Sequence, residues 1–229
     1  YNVNLYVDKL DMDDFEEELR PYIFLYDFRG VIENYNENNI LPFSDYWRFK
    51  LLYNYDNVTW IDADMFLVDR LPTLNTIISS EHTFQSGAFK SKLTYVPNIG
   101  VLRFGTSEGK LFLKEVIDTI DKCKTKAEFC DNMKVFRRIL KKKKFINLTK
   151  YIYAPEAFCP IPWWNAKNIY YDEEYDTKYN VEVKTNDYII NNSIGIHLWN
   201  NFTYNKHKID FNDLYKYCIY NNLKNRVTL

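Results

Sequence analysis

The stretch Val58-Thr-Trp-Ile-Asp-Ala-Asp-Met-Phe-Leu67 constrains the fold of this chain more than any other. Its apolar, β-branched and aromatic residues 58–61 stop abruptly at two carboxylates, Asp62 and Asp64, with one alanine between them. A short apolar run that ends at a polar cluster predicts a buried strand of an open α/β sheet. Ligands collect at the carboxyl ends of strands in such sheets, where both acids would stand. Two acids this close are costly to desolvate together unless a cation joins them. Oxygen ligands suit Mg2+ or Mn2+. A solvated surface turn is the competing account of Asp-x-Asp, and the position at a strand end is what favours function.

A chain of 229 residues is long enough for one domain with a substantial core, so a single domain over 1–229 is expected. With 46% hydrophobic and 27% charged residues it is globular rather than disordered. A net charge of −1 argues against a nucleic-acid partner, whose binding needs phosphate neutralisation. Aromatic residues reach 18%, mostly core material but also suited to stacking on sugars or bases. Cys123, Cys130, Cys159 and Cys218 show neither zinc-like pairing nor a disulfide framework, which favours buried thiols. Asn-x-Ser/Thr occurs at Asn57, Asn147, Asn191 and Asn201, as chance allows in an Asn-rich chain. No apolar run approaches the roughly 18 residues of a membrane span. The chain opens directly in a strand-like segment, as if an N-terminal portion were absent.

In order, the alternation of Val3, Leu5 and Val7 predicts a half-buried strand. Asp11 can cap a short helix to Leu19, and 23–26 reads as a second strand. Residues 30–39 are polar and loop-like. A helix starting at Ser44 or Asp45 and ending near Tyr55 would bury Tyr46, Phe49, Leu52 and Tyr53. After the acids, 82–92 reads as mixed loop and strand, and Pro97-Asn-Ile-Gly100 as a turn into a strand over 101–104. Helices are expected over 108–121 and 126–140, with Lys141–Lys144 as a solvated helix end. Then come a strand over 145–148, an ordered loop over 154–164, a strand over 193–198 and a terminal helix capped by Asp210. Strands alternating with helices predict an α/β domain.

Asp45 and Arg48 are three apart in what reads as the first turn of a helix, so they share a face. They form either a surface ion pair or part of a site, where a guanidinium takes phosphate oxygens and an acid takes sugar hydroxyls. Together, Phe43-Ser-Asp45-Tyr-Trp-Arg48 and Trp60-Ile-Asp62-Ala-Asp64-Met-Phe resemble the Ser-Asp-x-x-Arg…Asp-x-Asp block of retaining sugar transferases. The resemblance is greatest to the α-1,4-galactosyl- and α-1,4-N-acetylglucosaminyltransferase family, and extends to yeast α-1,6-mannosyltransferases and clostridial glucosylating toxins. Phe158-Cys-Pro-Ile161 and Gly195-Ile-His197-Leu-Trp-Asn200 are similar to that family's Phe-x-Pro-Ile and His-x-Trp-Asn segments. Asp56-Asn-Val-Thr59 stands where the family has a Gly-Gly-Ile-Tyr turn, and the family's first strand has no counterpart after Tyr1.

The resemblance implies a GT-A fold, a mixed central sheet flanked by helices, and a nucleotide-diphosphate sugar donor, UDP-linked before GDP-linked. It implies Mn2+ or Mg2+ on Asp64 and, directly or through water, on Asp62, with Asp62 also contacting ribose or donor sugar. Asp45 and Arg48 would hold donor sugar and phosphate, and Asn98 would sit beside the anomeric carbon. His197 and Trp199 would reach the metal or diphosphate from the last strand, if that strand and the one before Asp62 share a sheet and a polarity. The acceptor would be a hydroxyl of a glycan, glycolipid or glycoprotein. Trp163 and Trp164 are expected to pack rather than to stack an acceptor.

Two rivals stand beside this reading. A haloacid-dehalogenase-type phosphohydrolase also places Asp-x-Asp after a strand, but Met65-Phe66 fits its pattern poorly. A non-catalytic glycan-binding or degenerate transferase-like module would share the aromatic richness. Nucleotide-sugar hydrolysis with Mn2+ separates the transferase from the binding module, and phosphomonoester turnover would favour the phosphohydrolase.

Overall fold

In the computed structural model, residues 3–7, 23–27, 40–85, 92–125, 131–169 and 191–199 are described. The two expected N-terminal strands, β1 (Val3–Val7) and β2 (Ile23–Asp27), pair in parallel from Val3↔Ile23 to Val7↔Asp27. The anticipated helix at 11–19, the loop at 30–39, the terminal helix from Asp210, and Cys130 and Cys218 lie outside the described residues.

Helix α1 (Ile40–Asn54) begins a full turn before the expected cap. Pro42 is tolerated there because the first helical N–H groups have no intrahelical partner to lose. Asp45 is therefore not the cap of α1 but a residue of its second turn. The apolar face is also wider than one stripe: Tyr46, Trp47, Phe49, Leu51 and Leu52 are all buried, and Tyr53 is exposed.

Strands β3 (Thr59–Ile61), β5 (Thr76–Gln85) and β6 (Lys92–Phe104) form an antiparallel sheet in the order β3-β6-β5. The strand before the acids is thus a short, half-buried strand at the edge of this sheet, not the buried strand its composition predicts. Pro97-Asn-Ile-Gly100 is not a turn either, because β6 runs straight through it. The register shifts between Ile78 and Ser80, opposite Pro97, and this irregularity accommodates a residue that cannot donate to the ladder. Strand β4 (Met65–Leu67) pairs antiparallel with β7 (Gly195–His197) as a separate two-stranded sheet. The mixed α/β class holds, while the described strands form three small sheets in place of one central sheet.

Successive residues of a strand face opposite sides, and the β5–β6 pair uses both. Ile78 and Leu102 join a core with Phe49, Phe112 and Phe136, supplied by α1, α2 (Ser107–Thr125) and α3 (Asn132–Leu140). Ile77 and Val101 join a second core with Phe158, Cys159, Ile196 and Trp199. The sheet therefore separates a helical layer from the layer that carries β7. In the first core Phe49 stacks on Phe136 at 5.7 Å, and Phe112 meets Phe136 edge-on at 5.2 Å.

Three connecting segments differ from expectation. Asp131, not residue 126, starts α3, accepting the Lys134 N–H at 2.9 Å. The strand expected over 145–148 is a 3-10 helix, Lys143–Tyr151. Phe145 and Leu148 are buried while Ile146 is exposed, the three-residue spacing of a 3-10 turn rather than strand alternation. The loop over 154–164 contains α4 (Pro155–Phe158), with proline at its favoured first position, and leads into the 3-10 helix Trp163–Ile169. The lysine run is partly paired, since Lys142 and Lys144 both reach Glu115. No helix among the described residues is long and apolar enough to cross a membrane.

Candidate metal and donor site

The two acids sit on a tight turn between edge strands of two different sheets. The Asp62 N–H continues the ladder onto the Gly100 carbonyl at 2.8 Å, and Met65 N–H closes the turn on the Asp62 carbonyl at 3.0 Å. Strand β4 then leaves in register with β7, so that Met65 faces His197. A last backbone bond, Leu198 N–H to the Asp64 carbonyl at 2.8 Å, ties the end of β7 to the acid turn. His197 Nε2 consequently lies 3.0 Å from Asp64 Oδ1, across 133 residues of sequence. The expected convergence occurs, but by antiparallel pairing of the strand after the acids, not by two strands of matching polarity.

Asp62, Asp64 and His197 offer three ligand atoms that all lie within 4.8 Å of one another. Two ligands of one cation, each about 2.1 Å from it, stand at most about 4.2 Å apart. The set needs only a small side-chain adjustment to close on an ion. His197 is nearly buried, while the carboxylates of Asp62 and Asp64 are each 21% exposed, which leaves access from solvent.

Arg48 binds the site together rather than projecting into it. Its Nη1 donates to the Ile99 carbonyl at 2.6 Å and lies 3.1 Å from Asp62 Oδ1, and its Nη2 lies 3.3 Å from Asp45 Oδ1. The guanidinium also rests 4.8 Å over the Trp60 ring. Trp60 in turn donates its indole N–H to Asp62 Oδ1 at 2.7 Å. Both Nη groups thus face protein acceptors. The same side chains set the acid strengths. Burial raises the Asp62 pKa, and Arg48, the Trp60 N–H and His197 oppose it. Burial pushes Asp45 up to about 6 against the pull of Arg48.

Asn98 is also placed differently from expectation. It is buried in β6, its Oδ1 accepts the Gly100 N–H at 2.5 Å, and its Nδ2 donates to Glu81 Oε2 at 2.8 Å. Glu81 Oε1 accepts from Arg137 Nη2 at 2.7 Å, and Arg137 Nε donates to the Pro97 carbonyl at 2.7 Å. Asn98 therefore braces β6 beneath the acids. Space there is tight: a Cβ on Gly100 would stand 2.9 Å from Asn98 Oδ1 and 3.3 Å from Asp62 Oδ2. Sequence reading missed Glu81 and Arg137, since no local pattern marks partners 56 residues apart.

Trp199 gives its indole N–H to the Ile161 carbonyl at 2.7 Å, not to a phosphate, and is buried. Its ring packs 3.9 Å from the His197 ring with a tilt of 39°. Its φ of 55° is left-handed, uncommon for a non-glycine residue. Cys159 Sγ lies 3.9 Å from His197 Nδ1. Burial, together with Glu81, Asp62 and Asp64, holds the Cys159 pKa well above its ordinary range, so it is a thiol. Trp163 and Trp164 meet edge-on at 5.4 Å.

No curated protein and no solved structure matches this chain. A family match does exist: residues 123–224 fit the alpha 1,4-glycosyltransferase conserved region. That span contains Cys159, His197 and Trp199 and begins after Asp45, Arg48, Asp62 and Asp64. The matched segment and the segment that carries the acids meet where His197 bonds Asp64. The motifs of the first half and the match of the second half point the same way: the chain resembles the alpha-1,4-glycosyltransferases, and the enzyme is a glycosyltransferase.

Proposed function

We propose that this chain is a single GT-A domain that moves a sugar from a nucleotide-diphosphate donor to a hydroxyl of a glycan, glycolipid or glycoprotein. The donor is UDP-linked in preference to GDP-linked, and the anomeric configuration is retained. The observation that carries this reading is the Asp62–Asp64–His197 cluster at the junction of two sheets. Two carboxylates and one imidazole fit Mn2+ better than Mg2+, which prefers oxygen alone.

Bound there, a divalent ion supplies positive charge against the diphosphate that leaves as the sugar bond breaks. Asp64 and His197 would give up their mutual hydrogen bond to hold it. Asp62 commits Oδ1 to Arg48 and Trp60, so Oδ2 would be the atom it offers to the ion. Arg48 keeps the Asp62 carboxylate oriented and adds fixed positive charge behind the leaving group. Asp45, held by Arg48, accepts hydroxyls of the donor sugar. The acceptor hydroxyl attacks from the face the diphosphate leaves, and the departing phosphate oxygen takes its proton.

The test is release of nucleoside diphosphate from a panel of UDP- and GDP-sugars with Mn2+, Mg2+ or chelator. Proton NMR of the freshly formed sugar or glycoside reads the anomeric outcome. Metal-dependent turnover that Asp64→Asn abolishes is expected. Equal turnover in chelator, or a product of inverted configuration, refutes the corresponding part of the proposal.

A further inference from the structure

Beneath the acids, β6 bulges out of register with β5. Between the pairs Ile78↔Leu102 and Ser80↔Pro97, β5 uses one residue, Ser79, while β6 uses four, 98–101. Side chains and the acid turn take over the bonds that a regular ladder would make. The Pro97 carbonyl accepts from Arg137 Nε at 2.7 Å, and the Asn98 carbonyl from the buried Ser79 hydroxyl at 3.3 Å. The Ile99 carbonyl accepts from Arg48 Nη1 at 2.6 Å, and the Gly100 carbonyl from the Asp62 N–H at 2.8 Å. Gly100 N–H goes to Asn98 Oδ1 at 2.5 Å and Val101 N–H to Ser79 Oγ at 3.0 Å. Bulges re-aim groups beside sites, and the group aimed here is the carbonyl that fixes the Asp62 amide.

A backbone held by side chains is only as well placed as those side chains. Arg137 holds this bulge twice. Its Nε takes the Pro97 carbonyl, while its Nη2 takes Glu81 Oε1 at 2.7 Å, and Glu81 Oε2 takes Asn98 Nδ2 at 2.8 Å. A planar guanidinium fork can serve two such acceptors on neighbouring strands at once. The ion pair is partly buried, with side chains 26% and 18% exposed, so solvent screens it less than a surface pair. Its base is firm: α3 is capped by Asp131, and Val135, Phe136 and Ile139 anchor the helix in the first core.

We propose that Arg137 and Glu81 are positioning residues that hold the β6 bulge in the shape that aims the Gly100 carbonyl at Asp62. Through that bond they set how the acid turn presents its carboxylates to a divalent cation. Both act through Asn98 and Gly100 and not at the ion. The effect on cation affinity rests on the cation reading above; the effect on the Asp62 amide does not.

The test uses the full chain, 15N-labelled, with two readouts: Mn2+ affinity by calorimetry, and hydrogen exchange of the Asp62 N–H without metal. Exchange is compared equally far below each variant's thermal midpoint. Arg137→Met keeps the aliphatic stem and removes both bonds. It should bind Mn2+ about tenfold more weakly, the lower end of what losing a support behind a metal ligand produces. The control, Ile139→Val, loosens the same helix at a buried position and leaves the bulge bonds intact. It should bind Mn2+ within about twofold of the unsubstituted chain, and its Asp62 N–H should exchange about tenfold more slowly than that of Arg137→Met. Arg137→Lys, whose ammonium reaches Glu81 or the Pro97 carbonyl but not both, should fall between the two. If Arg137→Met does not fold, Arg137→Lys against Ile139→Val decides by the same readouts. Asp62 exchange no faster than in the control overturns the inference. Mn2+ affinity kept within about twofold in Arg137→Met but lost in Asp64→Asn overturns it while the cation reading stands. An unsubstituted chain with no Mn2+ affinity overturns the cation reading, and the Asp62 exchange then decides this inference by itself.

Discussion

Replacing Arg48 by lysine tests whether the guanidinium is the strut of the site. The fork spans three acceptors: Asp45 on α1, Asp62 beyond β3, and the Ile99 carbonyl in β6. A lysine ammonium is a point charge that can reach one or two of them, but not Asp45 on one side and Ile99 on the other. A hydrogen bond to a charged group contributes about 1.5–3 kcal/mol, so Arg48→Lys should cost about 2–3 kcal/mol. In a chain of this size each kcal/mol moves the midpoint by roughly 2–4 °C, a drop of about 4–12 °C. Arg48→Met removes the charge and leaves buried acids uncompensated, which costs about 3–5 kcal/mol. Its pH dependence carries the sharper test. Arg48 is the group that opposes burial at both Asp45 and Asp62. Without it both pKa values rise further, and the deficit of Arg48→Met should shrink from pH 7 to pH 5 as the acids protonate. Urea denaturation of the three proteins at both pH values measures this. Deficits within about 0.5 kcal/mol of zero, or a methionine deficit that ignores pH, would falsify the strut.

Asp45→Asn should stabilise the fold at pH 7 while turnover falls. The folded pKa of Asp45 is raised from 3.8 to about 6, so its contribution is most favourable below pH 4 and is lost as pH rises through 6. Asparagine mimics the protonated form; allowing for a side chain 26% exposed, the gain should be about 1–2 kcal/mol, with a flatter stability profile between pH 4 and 6. A lower midpoint at pH 7 with an unchanged slope contradicts this. Gly100→Ala places a methyl 2.9 Å from Asn98 Oδ1 and 3.3 Å from Asp62 Oδ2, and should cost about 1–3 kcal/mol with weaker Mn2+ binding. Unaltered calorimetric affinity would show that Asp62 does not depend on this packing. Mn2+ at about a hundred times its Kd should add about 2.7 kcal/mol to stability, seen as a rise in thermal midpoint that chelator reverses and Asp64→Asn lacks. A rise that survives in Asp64→Asn places the ion elsewhere.

What was legible in the sequence was local. Alternation predicted β1, and apolar runs placed β2 and β7 to within a few residues, because strand burial is written in neighbouring side chains. The acids after residues 58–61 marked a strand end, and the spacing of Asp45 and Arg48 placed them on one face of a helix. The extra first turn of α1 was hidden by Pro42, and the continuity of β6 by Pro97. Proline reads as a break in sequence, yet an N-terminal helical turn and a ladder irregularity both accept it. Tertiary structure alone decided that β4 and β7 run antiparallel, bringing His197 Nε2 to 3.0 Å from Asp64. It alone gave Arg48, Asn98 and Trp199 protein acceptors for the donors that motif reading had aimed at substrate. Buried polar groups must be satisfied by whatever the packed chain brings within about 3 Å, and partners as distant as Glu81 and Arg137 are chosen by packing, which sequence spacing does not encode.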